Sequence, residues 1–150
     1  MNMITIKGKG IFGGRAGGPA LVTRMPMNFT AAFTKLANLL PGKRSEIQDR
    51  HHELYKKKIT GKVLVFPAAI GSTYTGMVLL QRMYEKGSPA AMIVQRADSL
   101  LVSGAVLAET WFSRGVPVVE YGSDDLFEKI KTGDRVEVDG KTGEIKVTGV

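Results

Sequence analysis

Not one cysteine occurs in these 150 residues. That excludes a disulfide framework, a thiolate nucleophile and any cysteine-ligated zinc or iron–sulfur site within the chain. Histidine is almost as scarce: there are two, adjacent at positions 51 and 52. Neighbouring side chains on an irregular segment diverge, so this reads as a surface pair rather than a metal site. No apolar run reaches the roughly 18 residues that a membrane-spanning helix needs. The opening residues alternate like a strand and carry no signal-peptide core, which makes the cytosol the expected compartment. Aromatic residues make up 7% of the chain, and no aromatic-rich RNA motif or zinc-finger spacing is present.

What remains is the composition of an ordinary globular protein, 43% hydrophobic and 23% charged. The length suits one domain over residues 1–150, large enough to bury a core. The net charge of +7 admits an anionic substrate, an acidic partner or nucleic acid. Much of the positive charge lies in residues 43–58, which read as a solvated loop rather than a nucleic-acid site.

The chain is organised around the turn at residues 68–76. A short apolar strand, 62–67, leads into it, and a helix with Met77, Leu80 and Tyr84 at helical spacing leads out. The first turn of a helix has unpaired N–H groups and a partial positive charge. Ser72, Thr73 and Thr75 put hydroxyls into that field, while Gly71 and Gly76 let backbone approach a ligand. The same residues also suit ordinary N-capping.

Residues 3–12 read as a strand. The glycines at 13, 14, 17 and 18 lie between strand-like segments, and Ala20 to Thr23 continues as strand, so they form a tight β connection and not a phosphate loop. Residues 30–40 suggest a short helix, apolar at 33, 36, 37 and 40 with Thr30 as its cap, stopped at Pro41 and Gly42. From residue 62 the pattern is strand 62–67, helix 72–86, strand 90–95, a helix from Asp98 or Ser99 to about 113, and strand 117–121. A short helix to Lys131 and a hairpin around residues 139–143 complete the chain. The middle is therefore β-α-β-α-β with parallel strands, and ligands in such sheets bind beyond the carboxyl ends of the strands. The 99–113 helix is apolar on nearly every side, which requires burial by the sheet and by something else, a partner chain among the candidates.

The ordered set of segments resembles the small subunit, or swivelling domain, of the aconitase X family. The resemblance is carried by the N-terminal glycines with Pro19, Ala20, Leu21 and Val22, then by Asp49 and His52 with Leu54. It continues through the strand 61–67 with Gly71, Ser72, Thr73 and Gly76, then Arg96, Ala97 and Asp98, and finally residues 115–119. The chain departs from the family pattern with Glu53 after His52, where Pro is usual, and with Ile70 where archaeal members tend to carry Arg.

The resemblance implies a swivelling β/β/α domain and a hydro-lyase that removes water from a small anionic hydroxy acid, either mevalonate 5-phosphate or a hydroxyproline. It implies a larger, cysteine-bearing catalytic subunit holding an iron–sulfur cluster or iron, with no cofactor on this chain. Ser72 matches the serine base of the related aconitases. Gly71, Thr73, Thr75, Gly76, His52, Arg15 and Arg96 are the expected substrate-binding residues. Arg15, Arg96 or a partner's lysine would supply the cation that favours the Ser72 alkoxide. The absence of Arg at position 70 weighs against a phosphorylated substrate, because phosphate favours bidentate donors. The other reading is an anion-binding or regulatory module that keeps the fold without the chemistry.

Overall fold

The computed structural model describes residues 2–71 and 73–149. Its elements run β1 (Met3–Lys7), β2 (Lys9–Phe12), β3 (Arg15–Val22), α1 (Phe29–Phe33), a 3-10 turn (Leu36–Leu39), β4 (Val63–Phe66), α2 (Thr75–Tyr84) and β5 (Ala91–Val94). They continue with α3 (Ser99–Phe112), β6 (Val118–Glu120), α4 (Leu126–Lys129), β7 (Arg135–Asp139) and β8 (Glu144–Thr148).

Every residue of β4 and β5 is buried, as strands covered on both faces must be. Successive side chains point to opposite faces, so each strand feeds two cores. Leu64, Phe66, Met92 and Val94 join Phe29, Leu79, Met83, Leu101 and Ala105 beneath the helices. Val63, Val65, Ala91 and Ile93 join Val136, Val138, Ile145 and Val147 of the hairpin on the other side, with Leu126, Phe127 and Ile130. The result is a β/β/α layering, as the resemblance implies, with the parallel β-α-β-α-β centre that the sequence pattern implies and flanking antiparallel strands.

The strand order is β1-β8-β7-β3-β4-β5-β6-β2. β3, β4, β5 and β6 pair in parallel, and the remaining pairings are antiparallel. β3 serves both halves: residues 15–19 pair with β7 and residues 20–22 with β4. The two ends of the order, β1 and β2, are consecutive in the chain and joined by Gly8 alone, so the sheet wraps until its outermost strands meet.

Several sequence expectations are refined. The 3–12 strand is two strands: pairing with β8 runs on to Gly8, whose N–H donates to the Gly143 carbonyl at 2.8 Å, and from Lys9 the chain pairs with β6 instead. β3 begins at Arg15 and takes in the glycines at 17 and 18, where a Cβ would press on Glu137 and Gly61. α1 is capped by Asn28, whose Oδ1 accepts from Ala31 N at 3.0 Å, and not by Thr30. It stops at Phe33, and Leu36, Leu39 and Leu40 are exposed rather than forming a helical core stripe. Asp98 caps α3 as expected, accepting from Leu101 N at 2.8 Å, and Ser113 closes it in the left-handed conformation. α3 buries Leu101, Gly104, Ala105 and Ala108, while Leu100, Val106, Trp111 and Phe112 face outward.

Candidate functional site

The turn leaves the carboxyl end of β4, and neighbouring backbone fixes its first half. Met27 N donates to Ala68 O at 3.0 Å, and Ile70 N donates to Met27 O at 2.9 Å. Pro67 O accepts from both Gln95 N and Arg96 N, which ties the start of the turn to the end of β5. Gly71 then adopts φ +98°, a conformation that L side chains rarely enter. A Cβ there would also stand 2.7 Å from the Asn28 amide nitrogen. Glycine at 71 is therefore required twice over. Ser72 lies outside the described residues. Thr73 is exposed and Thr75 is buried at the start of α2.

Gly76 has a different purpose from the one its flanking position suggests. A Cβ on it would meet Ser103 Oγ at 2.5 Å and Leu100 O at 2.9 Å, and one on Gly104 would meet Gly76 O at 2.5 Å. The two glycines let α2 and α3 cross backbone to backbone. That contact brings the starts of both helices to the carboxyl end of the sheet, with their positive ends on the same side.

His51 is exposed, but His52 is buried, so the expected surface pair is only half right. Ile47 and Ile59 anchor the loop on the core, and Gln48 N donates to Ala32 O at 2.8 Å. Within it, His52 Nδ1 accepts from Leu54 N at 3.0 Å. That bond leaves Nε2 as the ring's donor, and it is buried with no hydrogen-bond partner among the described residues. The adjacent Glu53 accepts from the buried Thr23 hydroxyl. Thr23 N in turn donates to Val65 O at 2.9 Å. Glu53 thus fastens the loop to the end of β3, on the same side as the turn.

Arg96 follows β5 with its side chain exposed, and Ala97 N donates to Glu120 Oε2 at 2.8 Å. Arg96 and the turn share the carboxyl end of the sheet. Arg15 does not join them. It begins β3 at the opposite end and pairs with Asp139 at 3.1 Å. At about 3.3 Å per residue, β3 carries it roughly 23 Å from Val22. Asp139 is held below the usual carboxylate range chiefly by the Lys141 and Thr142 backbone N–H groups, with Arg15 adding to them. The fold therefore brings together Gly71, Thr73, Thr75, Gly76 and Arg96, with the His52 loop fastened at the same side, and leaves Arg15 apart.

Asn28, Thr23 and Glu120 support this end of the sheet and were not singled out from the sequence. Asn28 had a detectable signal, since Asn before an apolar run is a good N-cap. Thr23 and Glu120 had none, because their partners are far away in the chain. For an iron centre the chain's own donors do not fit: there is no cysteine, and the described residues contain no group of three His, Asp or Glu able to hold a metal.

A family profile described as the aconitase X swivel domain matches residues 5–147. The phosphomevalonate dehydratase small subunit of Methanocella arvoryzae is 38% identical over 143 residues, covering 95% of this chain and 98% of that protein. The corresponding small subunit of Pyrococcus furiosus is 35% identical over 143 residues, covering 95% and 94%. The crystal structure of Thermococcus kodakaraensis aconitase X in its holo form superposes with a TM-score of 0.80 at 30% identity, covering 96% of this chain and 98% of that one.

Proposed function

The chain belongs to the aconitase X swivel domain family, and from that premise we propose that it is the small subunit of a two-subunit hydro-lyase acting on mevalonate 5-phosphate. The observation that carries this reading is similarity over nearly the whole length to relatives named phosphomevalonate dehydratase small subunit. That similarity outweighs the missing Arg at position 70. In this reading Arg96, exposed at the same end of the sheet, supplies a guanidinium to a substrate anion. Arg15, held by Asp139 at the other end, does not.

Ser72 is the proposed base. As an alkoxide it takes the proton beside the substrate carboxylate. The C–H electron pair becomes the new double bond, and hydroxide leaves the neighbouring carbon. A serine hydroxyl is a very weak acid, so its alkoxide needs a positive field, which the start of α2 and Arg96 provide. Backbone N–H groups around Gly71 and Thr73 receive the carboxylate. Gly76 lets the helix start lie close against α3, with Thr75 buried beside it. His52 and Glu53 hold the loop beside it. The iron centre is assigned to the larger subunit.

In the assembled enzyme, Ser72→Ala is expected to lower turnover about 10³-fold, within the range for losing a positioned base. Its co-elution with the larger subunit should be unchanged. Wild-type turnover in that variant would remove Ser72 as the base. Dehydration of a hydroxyproline in place of mevalonate 5-phosphate would overturn the substrate.

A further inference from the structure

We infer that the outward face of α2 and α3 is the docking surface for the larger subunit, a proposal that rests on the two-subunit reading above. A groove between the helices is lined by Tyr74, Met77, Leu80, Gln81, Tyr84 and Phe112. The Tyr84 and Phe112 rings meet at 4.7 Å, and Trp111 stacks edge-on against Phe112 at 6.3 Å. Tyr74, Tyr84, Trp111 and Phe112 are 63, 52, 60 and 40% exposed. At about 200 Å² per aromatic residue, that is roughly 400 Å² of open aromatic surface. Met77 on α2 and Leu100, on the Trp111 side of α3, add to it. Gln81 also borders a second groove, where Leu36 and Leu39 stand among the polar and charged Lys35, Arg44 and Glu85, so the apolar patch gives way to charge across α2.

A monomer rarely leaves more than a few hundred Å² of contiguous apolar surface in water, and a stable interface takes about 800 Å² from each partner. The aromatic patch alone supplies about half of that area, the share that the apolar centre of an interface takes. Its position selects the occupant. Tyr74 and Met77 stand just after Ser72 in the chain, so the surface begins where the candidate site ends. A subunit that completes the site reaches the groove without a further element. The rim is charged, with Arg44, Glu85 and Arg114, the last lying 5.6 Å from the Tyr84 ring centre. An apolar centre with a charged rim is the anatomy of a specific protein interface.

The test titrates the purified larger aconitase X subunit of the same organism with this chain by calorimetry. Trp111→Glu combined with Met77→Glu should weaken binding at least 100-fold, with unchanged circular dichroism and melting of the free chain. Lys146→Glu, on the exposed outer side of β8, should bind within twofold of wild type. Wild-type affinity in the double variant would overturn this docking face and leave the two-subunit reading intact. So would a free chain that sediments as a dimer and is split by the same substitutions, because the occupant would then be a second copy. No binding by the wild-type chain would overturn both.

Discussion

Gly71 and Asn28 claim the same space from two directions. Gly71 needs its left-handed φ, and the room its missing Cβ leaves is filled by the Asn28 amide, whose oxygen caps α1. Asn28→Ala should cost about 1 kcal/mol through loss of the cap. Gly71→Ala should cost about 1 kcal/mol for the strained backbone, and more for the clash with Asn28. In the double variant the clash disappears, so the two losses should sum to more than the measured total. Urea unfolding of the four proteins reads this coupling directly, and strict additivity would separate the two residues. The importance of Gly71 was visible in the sequence, because a glycine beside hydroxyls ahead of a helix is a local pattern. Its partner was not, because nothing local joins residue 28 to residue 71.

At the scale of elements, legibility followed burial on both faces. β4, β5 and the helices between the parallel strands were readable because continuous apolar runs and caps such as Asp98 leave few alternatives. Residues 30–40 misled because Leu36 and Leu40 mimic a core stripe while pointing outward. The β7–β8 hairpin offers a test of its own. Asp139 Oδ1 accepts from Lys141 N at 2.9 Å and Thr142 N at 3.2 Å, and its folded pKa is depressed by these bonds and by Arg15. A depressed carboxylate stabilises the fold above its unfolded value, near 3.9, and that support is lost as pH falls through the lower folded value. Asp139→Asn should therefore flatten the acid limb of stability below about pH 4 and leave the slope above pH 6 unchanged. Melting temperature against pH, compared with wild type, checks both parts.

For the whole molecule, the sequence indicated strands at each end of the chain but not that they belong to one wrapped sheet. That closure depends on register: Met3 lies opposite Thr148 and Lys7 opposite Glu144, while Lys9 has already crossed to pair with Glu120. Pairings between such distant segments leave no trace in periodicity. The wrapping gives the molecule two cores sharing the parallel strands, so helices and hairpin stabilise opposite faces of the same four-strand wall.

The meeting of β1 and β8 across nearly the full length of the chain also sets an order of events during synthesis. β1 emerges from the ribosome before every other strand of this fold, and its partner β8 after all of them. Until then the apolar side of Ile6 waits uncovered, and the wrapped sheet stays open at that seam. Closure is a slow, long-range step because its loop entropy is met before any contact rewards it. Pulse-labelled hydrogen exchange during refolding should find the amides of β4 and β5 protected first, and those of β1 and β8 gaining protection together at the end. Early protection of β1 would mean that the seam forms before the parallel centre.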